Sequence, residues 1–353
     1  MPTSHTLNLL QQSIQNNASD IFVIAGKELC IKKDGEIMPV SQQKTTPDDS
    51  ASIVNSLYEL AKRSRTIFDS SGDDDFSVSI PNMARFRVNT YKQRGSVAAV
   101  IRVIQFGIPD YHAVNIPESI MDVSKTPNGM VLVTGAAGTG KSTTLACIVD
   151  AINKTENVHI VTIEDPIEFL HRNERGIVSQ RELSMDTNSY PAALRASLRQ
   201  APDVILLGEM RDPDTIQTAM TAAETGHLVL STLHTTGAVN TIDRIIDVFP
   251  PSQQQQIRVQ LAQVLRTVIS QDLVPTVDKT IVPAFEIMHV TPAIRTMIRE
   301  SRIHQVDNAI QTGGKDGMIS MDDYLLSLFK SGKISRETVQ RRCVNWDVLS
   351  KKL

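Results

Sequence analysis

The sequence lacks the marks of several common protein classes. Its three cysteines, Cys30, Cys147 and Cys343, lie far apart with no CxxC pair. That excludes a zinc ribbon, argues against a disulfide framework and suits a reduced cytosol. No apolar stretch reaches the roughly 18 residues of a membrane span, so stable membrane insertion is not expected and any membrane association is peripheral. The opening MPTSHTLNLLQQS has neither the basic start nor the apolar run of a signal peptide. Basic excess is missing as well: the formal net charge is −3, which argues against a dedicated nucleic-acid binder. No HExxH or comparable metal cluster occurs. There is no internal repeat, and the short glutamine run at 253–256 suits a solvated helix face.

What is present points to two domains. The chain has 353 residues, 41% of them hydrophobic and 21% charged, enough for two ordinary cores. The first hundred residues read as a small α/β module. Apolar runs over 21–24 and 29–31 predict strands, with Asp34-Gly35 as a hairpin turn. Ile53, Leu57 and Leu60 have helical spacing. Strands are expected over 76–80, 84–91 and 97–104, separated by Pro81-Asn82 and Arg94-Gly95. The segment 107–117, with two prolines, a glycine and an asparagine, is a linker. The expected organisation is 1–106, the linker 107–117, and a second domain over 118–353.

Past the linker the rhythm becomes strand-helix alternation, the mark of a parallel, doubly wound sheet. Buried strands are expected over 130–134, 158–163, 204–207 and 228–232. Asp212-Pro213 starts a helix that Gly226 ends. A long helix is expected from Pro250-Pro251 to about Gln271, and a helical C-terminal region over about 275–353.

The strongest motif is GAAGTGKS, from Gly135 to Ser142, which matches G-x-x-x-x-G-K-[ST] between an expected strand and an expected helix. Backbone N–H groups of Gly135, Ala136, Ala137, Gly138, Thr139 and Gly140 would cradle phosphate oxygens. Lys141 would reach the β- and γ-phosphates, and Ser142 would bind Mg²⁺. Two acidic sites follow apolar strands: Glu164-Asp165 in HIVTIEDPIEF and Glu209 in DVILLGEMRD, with Gly208 where many P-loop proteins carry Asp. Such an enzyme needs one carboxylate for the Mg²⁺ shell and one to polarise water; spacing does not decide which glutamate does which. In TGHLVLSTLHT, His227 precedes a strand and His234 follows it. A histidine there either senses the γ-phosphate or is a hydrogen-bonded structural group. Arginines often stabilise the charge of phosphoryl transfer, sometimes from a neighbouring subunit. Candidates are Arg87 and Arg102 in the first module, and Arg195 and Arg199, four residues apart on an expected helix.

The segment TPAIRTMIRE, 291–300, reads as a helix capped by Thr291 with Pro292 in its first turn. Ala293, Ile294, Met297 and Ile298 are expected to be buried, with Arg295 and Arg299 facing water.

Together these residues resemble one family, the hexameric ATPases of type IV pili and type II secretion. Four boxes stand in family order: GAAGTGKSTT, VTIEDPIEF, DVILLGEMRD and TGHLVLSTLHT. The likeness continues through DRIIDVFPPSQQQQIRVQLAQVLRTVISQDLVP and, in the first module, through MARFRVNTYKQRGSVAAVIRVI. Within the family the chain is most similar to the pilus-retraction branch. It has no tetracysteine insertion, starts almost directly with the first module, and carries AIRTMIRE where that branch has a similar tail signature.

The resemblance implies a PAS-like N-terminal domain and a RecA-like P-loop core with a helical C-terminal region, an α/β fold overall. It implies ATP and Mg²⁺, phosphates bound over 135–142 with Thr143, and Ser142 and Glu209 on the metal. Glu164 falls on the catalytic position of the aspartate box, and His234 near the γ-phosphate. Arg87, Arg102, Arg195 and Arg199 would complete the site, the first two in trans. Arg295 and Arg299 would engage a partner or another subunit. The implied assembly is a cytoplasmic homohexamer, peripheral at the inner face of the cytoplasmic membrane, acting on a membrane platform protein and indirectly on pilin. Departures are AAGT for PTGS in the P-loop, Thr236-Gly237 after the histidine box, and Thr296 and Met297 in the tail signature. The competing readings are an assembly or secretion ATPase and, from another class, a nucleic-acid translocase.

Overall fold

The structure, a computed structural model, describes residues 2–353 except 34, 82, 105 and 106, with only the backbone of Pro2 and Thr3. It divides into two units, Met1–Gly107 with Glu168–Leu170, and Ile108–Ile167 with His171–Leu353.

The first unit is a six-stranded antiparallel sheet with helices. Its elements are α1 (Pro2–Gln15), β1 (Asp20–Val23), β2 (Glu28–Lys33), β3 (Glu36–Lys44), α2 (Pro47–Ala61), α3 (Thr66–Ser71), β4 (Asp73–Ile80), β5 (Ala84–Gln93) and β6 (Ser96–Ile104). The strand order is β3-β2-β1-β6-β5-β4. Helix α2 starts at a reciprocal capping box between Thr46 and Asp49 and buries Ile53, Val54 and Leu57. Strand β5 alternates, with Phe86 and Val88 buried in the core and Arg85 and Arg87 on the other face. The expected turns at Asp34-Gly35 and Pro81-Asn82 include Asp34 and Asn82, which lie outside the described residues.

The second unit begins with α4 (Glu118–Met121), β7 (Gly129–Thr134), α5 (Lys141–Thr155), β8 (His159–Glu164), β9 (Ile177–Glu182), α6 (Tyr190–Ser197), β10 (Val204–Leu207), α7 (Pro213–Glu224), β11 (Leu228–Leu233), α8 (Ala238–Asp247) and α9 (Pro251–Val264). There follow β12 (Leu265–Pro275), β13 (Ile281–His289), α10 (Pro292–Arg299), α11 (Val306–Thr312), α12 (Met321–Lys330), α13 (Arg336–Arg342) and α14 (Trp346–Leu349). The seven strands run β13-β12-β7-β11-β10-β8-β9, all parallel except β13. Alternate residues of the central strands feed two separate cores. Met130 and Leu132 join one with α7 to α11, and Val131 and Val133 join the other with α5. Both faces of the sheet are therefore covered, which is why its strands read as unbroken apolar runs.

Two expectations are corrected. The helix after Pro250-Pro251 stops at Val264, and Leu265–Pro275 forms β12, between β7 and β13. Thr267, Val268 and Ile269 are β-branched and fit a pleated, buried strand. Ladder partners on both sides then outweigh the helical spacing upstream. The region expected to be helical from about 275 opens instead with β13, the antiparallel edge strand.

Helix α10 begins at the Thr291 cap, whose Oγ1 accepts from the Ile294 N–H at 3.3 Å. Ile294 and Ile298 are fully buried and Met297 packs beside them, but Ala293 is exposed. Arg295 does not simply face water: it is half-buried, with its Nε out of solvent and without a hydrogen bond. Burial and then the nearby Arg295 charge lower the pKa of Arg266. Arg299 is exposed, as expected.

Candidate active site

The site is assembled by the order of the strands. The C-terminal ends of β7, β11, β10 and β8 stand side by side, with Thr134 opposite Leu233, Ser231 opposite Leu207, and Leu207 opposite Ile163. The phosphate loop, His234, Glu209 and Glu164 leave these four ends in that spatial order, although the sequence order is loop, Glu164, Glu209, His234. This edge is where parallel sheets present ligand-binding groups.

The loop is built around glycines that nothing else can replace at two points. Gly135 has φ +144°, and a Cβ there would lie 2.2 Å from the Gln271 carbonyl oxygen and 2.8 Å from Thr139 Oγ1. Gly140 has φ +84°, and its Cβ would stand 3.0 Å from Gln271 Nε2. Gln271 Oε1 accepts from Thr144 Oγ1 at 2.7 Å in the first turn of α5. The glutamine thus supports both ends of the loop, from a strand that the sequence reading took for helix. Lys141 folds back, its Nζ donating to the carbonyl oxygens of Gly135 at 2.9 Å and Ala136 at 2.7 Å. Ala136, Ala137 and Gly138 are exposed, Thr139 is buried, and Ser142 and Thr143 are half-buried at the start of α5. No side chain caps that helix, so its first N–H groups and positive dipole end face the loop. The cradle fits an anionic phosphate.

Glu209 is largely buried, its side chain 15% exposed, with Oε2 2.5 Å from Arg211 Nε and 3.5 Å from His234 Nε2. Despite these ion-pair contacts Oε2 has no aligned hydrogen bond. Glu164 Oε1 accepts from Thr162 Oγ1 at 2.6 Å and Gln180 Nε2 at 3.4 Å. Arg211 and Gln180 were not singled out from sequence, though Arg211 sits inside the GEMRD box. Tyr190 is a further addition. A Cβ at Gly208 would lie 2.8 Å from its hydroxyl, so the phenol occupies the space left by the glycine. Burial, then the charges of Glu209, Asp165 and Glu164, push its pKa up and keep it protonated.

The two histidines separate cleanly. His227 lies at the opposite end of β11, where Nδ1 stands 2.9 Å from the Ala222 carbonyl oxygen and 3.2 Å from Thr225 Oγ1. It is a structural group at the end of α7. His234 is half-exposed beside Glu209.

The arginines are distributed over both units. Arg195 is exposed on α6. That helix ends at Ser197, so Arg199 lies just past it, donating to the Arg195 carbonyl oxygen at 3.2 Å. In the first unit Arg87 and Arg102 are direct cross-strand partners on β5 and β6. Like charges in that register repel. Each is held by a carboxylate, Arg87 by Asp75 at 2.7 Å and Arg102 by Asp20 at 3.1 Å. No spacing rule in the sequence shows that pairing.

Among the described residues no group of three or more His, Cys, Asp or Glu would hold a metal by itself, and no helix is long and apolar enough to cross a membrane.

A glycine-rich phosphate loop on a parallel sheet, with carboxylates at the neighbouring strand ends, defines a P-loop nucleoside triphosphatase with a RecA-like core. Residues 3–318 match the family described as type II/IV secretion system protein. The chain is 42% identical over 345 residues to the twitching motility protein of Neisseria gonorrhoeae, covering 98% of this chain and 92% of that one. It is 44% identical over 335 residues to the type IV pilus retraction ATPase PilT of Pseudomonas aeruginosa, covering 95% and 96%. A crystal structure of the pilus retraction motor PilT with bound ADP superposes with a TM-score of 0.91 at 40% identity, covering 98% of both chains. The chain belongs to the type II/IV secretion system protein family. It is an ATPase of that family, and ATP is its nucleotide.

The Gly135 contact gives a sharp test. Gly135→Ala is expected to lower ATP turnover about a hundredfold, since the loop must shift away from the Gln271 backbone and a displacement of about 1 Å at such a site has that effect. Gly138→Ala, with nothing within 4 Å of its Cβ, is expected to lose far less even though its own φ, +79°, is positive. Phosphate release by the two variants, measured side by side, checks the contrast.

Proposed function

We propose that this chain powers the retraction of type IV pili by hydrolysing ATP, as one subunit of a homohexameric ring at the inner face of the cytoplasmic membrane. The observation that carries the reading is the full-length likeness to pilus-retraction ATPases together with a site that keeps both carboxylates, Glu164 and Glu209, at adjacent strand ends. In this reading residues 1–106 are a PAS-like domain, 107–117 a linker and 118–353 the motor core.

The donor set fits Mg²⁺, which takes one or two carboxylates and completes its shell with substrate phosphates and water. Glu209, a largely buried carboxylate paired with Arg211 and beside His234, and the Ser142 hydroxyl would hold the ion. When bound it neutralises charge on the β- and γ-oxygens.

The chain's own groups do the rest. The backbone of Gly135, Ala136, Ala137, Gly138, Thr139 and Gly140, with Ser142 and Thr143, wraps the phosphates, and Lys141 leaves the two loop carbonyls to reach the β- and γ-oxygens. Glu164, held by Thr162 and Gln180, and Glu209, beside His234, divide the tasks of orienting water and holding the metal shell. His234 donates toward the γ-phosphate. Arg195 on α6 and Arg199 just past its end supply charge, and Arg87 and Arg102 act as a pair on a neighbouring subunit's site. The force acts on a membrane platform protein and indirectly on pilin, with no nucleic acid involved. Arg295 and Arg299 on α10 engage a partner or another subunit.

Imaging of cells lacking the gene tests the reading. They are expected to keep pili, often in excess, that do not retract; wild-type protein restores movement and Lys141→Ala does not. Bald cells would indicate an assembly motor instead. In the same assay Arg295→Ala with Arg299→Ala is expected to keep the ring and its ATPase rate yet lose retraction, and twitching at the wild-type rate would remove α10 from the mechanism.

A further inference from the structure

Helix α8 begins just past His234, and its N-cap is Gly237, which has no side chain to satisfy the first N–H groups. Two other strands supply the acceptors. Ser270 Oγ on β12 accepts from the Gly237 N–H at 2.8 Å, and Glu286 Oε1 on β13 accepts from the Ala238 N–H at 2.8 Å. Ser270 and Glu286 face each other in the β12–β13 register, so one rung of the ladder caps the helix. The carboxylate also meets the positive end of the helix dipole.

Met321, the first residue of α12, lines the same cleft as Glu286 and the Thr236-Gly237 turn. Beside Glu286, Ile287 exchanges two backbone hydrogen bonds with Ile319, at 2.9 and 3.1 Å, which bring the chain into α12. Glu286 is 8% exposed, and burial raises its pKa against the opposing pull of the Ala238 N–H. A buried carboxylate is costly unless its hydrogen bonds are needed. Next to Ser270 on β12 stands Gln271, which supports the phosphate loop from the other face of the sheet. A contiguous set of contacts therefore runs from the loop through β12 and β13 to the turn after His234 and to α12.

We propose that Glu286 is a positioning residue for ATP hydrolysis, tying the turn that carries His234 to the first turn of α12, so that the nucleotide site and the C-terminal helices shift together. The proposal rests on the reading of the chain as an ATPase. It assigns a path for nucleotide state to reach the helices beyond β13.

The test compares full-length wild type with Glu286→Ala, Glu286→Gln and Ser270→Ala. Glu286→Ala is expected to lower kcat about tenfold with KM for ATP within about twofold, because the loop contacts are untouched. Glu286→Gln keeps an oxygen for the Ala238 N–H and is expected to stay within about threefold of wild type. Ser270→Ala, losing one of the two caps, should lower kcat about threefold. Hydrogen exchange at Met321 and the following amides should respond to ATP in wild type and cease to respond in Glu286→Ala. A merely structural role would lower the melting temperature and leave kcat and the exchange response of the folded protein alone, and that result overturns the proposal. If Glu286→Ala does not fold, Ser270→Ala with wild-type kcat overturns it equally. Wild-type protein that turns over no ATP would instead defeat the ATPase reading beneath it.

Discussion

Lys141→Ala is expected to stay folded and to lose ATP turnover by at least about 10²–10³-fold, the usual effect of deleting one donor that stabilises transition-state charge. Lys141 is 7% exposed, and its ammonium donates to the Gly135 and Ala136 carbonyl oxygens. Removing it loses those bonds but also relieves a buried charge, so the net change in stability should be on the order of 1 kcal/mol. The binding readout is separate. At a nucleotide concentration of about 100 times Kd the wild-type protein should gain about 2.7 kcal/mol. The variant, without the cation aimed at the phosphates, should gain much less at the same concentration. Thermal shifts with and without ATP, beside a phosphate-release assay, measure both. Turnover at the wild-type rate in the variant would mean that nucleotide is hydrolysed elsewhere.

Glu164→Gln and Glu209→Gln are each expected to lower kcat by about 10²–10⁴-fold, the range for loss of a positioned acid–base group. They should differ in their response to Mg²⁺. Glu209 follows β10, nearer the phosphate loop than the β8 end that carries Glu164, so its amide variant should need more Mg²⁺ and recover partly when the ion is raised. Glu164 is anchored by Thr162 and Gln180, and its variant should lose rate without a change in Mg²⁺ demand. Neither change should unfold the protein. The ion-pair partners of Glu209 are solvated, with side-chain exposures of 74% for Arg211 and 48% for His234, and such pairs contribute little to stability. Mg²⁺ titrations of initial rate separate the two roles, and equal, Mg²⁺-independent losses would refute the assignment of Glu209 to the metal.

The phosphate loop was legible because its chemistry is local. The glycines, the lysine and the hydroxyl all fall within one turn of chain between a strand and a helix, and the pattern is itself the structure. The four central strands were legible for the same reason: burial on both faces makes each a short apolar run. Helix α9 and β12 were not separated, because 251–271 carries helical spacing throughout and what stops the helix at Val264 is the ladder with β7 and β13. Losing β12 meant losing Gln271 and Ser270, the residues that support the phosphate loop and cap α8. On α10 the cap and the buried Ile294 and Ile298 were read correctly. Arg295 was given to solvent because periodicity marks a face of the helix and not what packs against it.

By itself, the sequence determined that this protein carries a phosphate-loop motif from Gly135 to Ser142, two strand-end glutamates and a strand-end histidine in family order. Only the tertiary structure decided that these groups share one edge, that Glu209 and not Glu164 lies beside His234, that Arg87 faces Arg102, and that Glu286 on β13 caps α8. The physical reason is the same in each case. Strand order and register are long-range pairings, fixed by which apolar faces bury together, and no short window of sequence contains them.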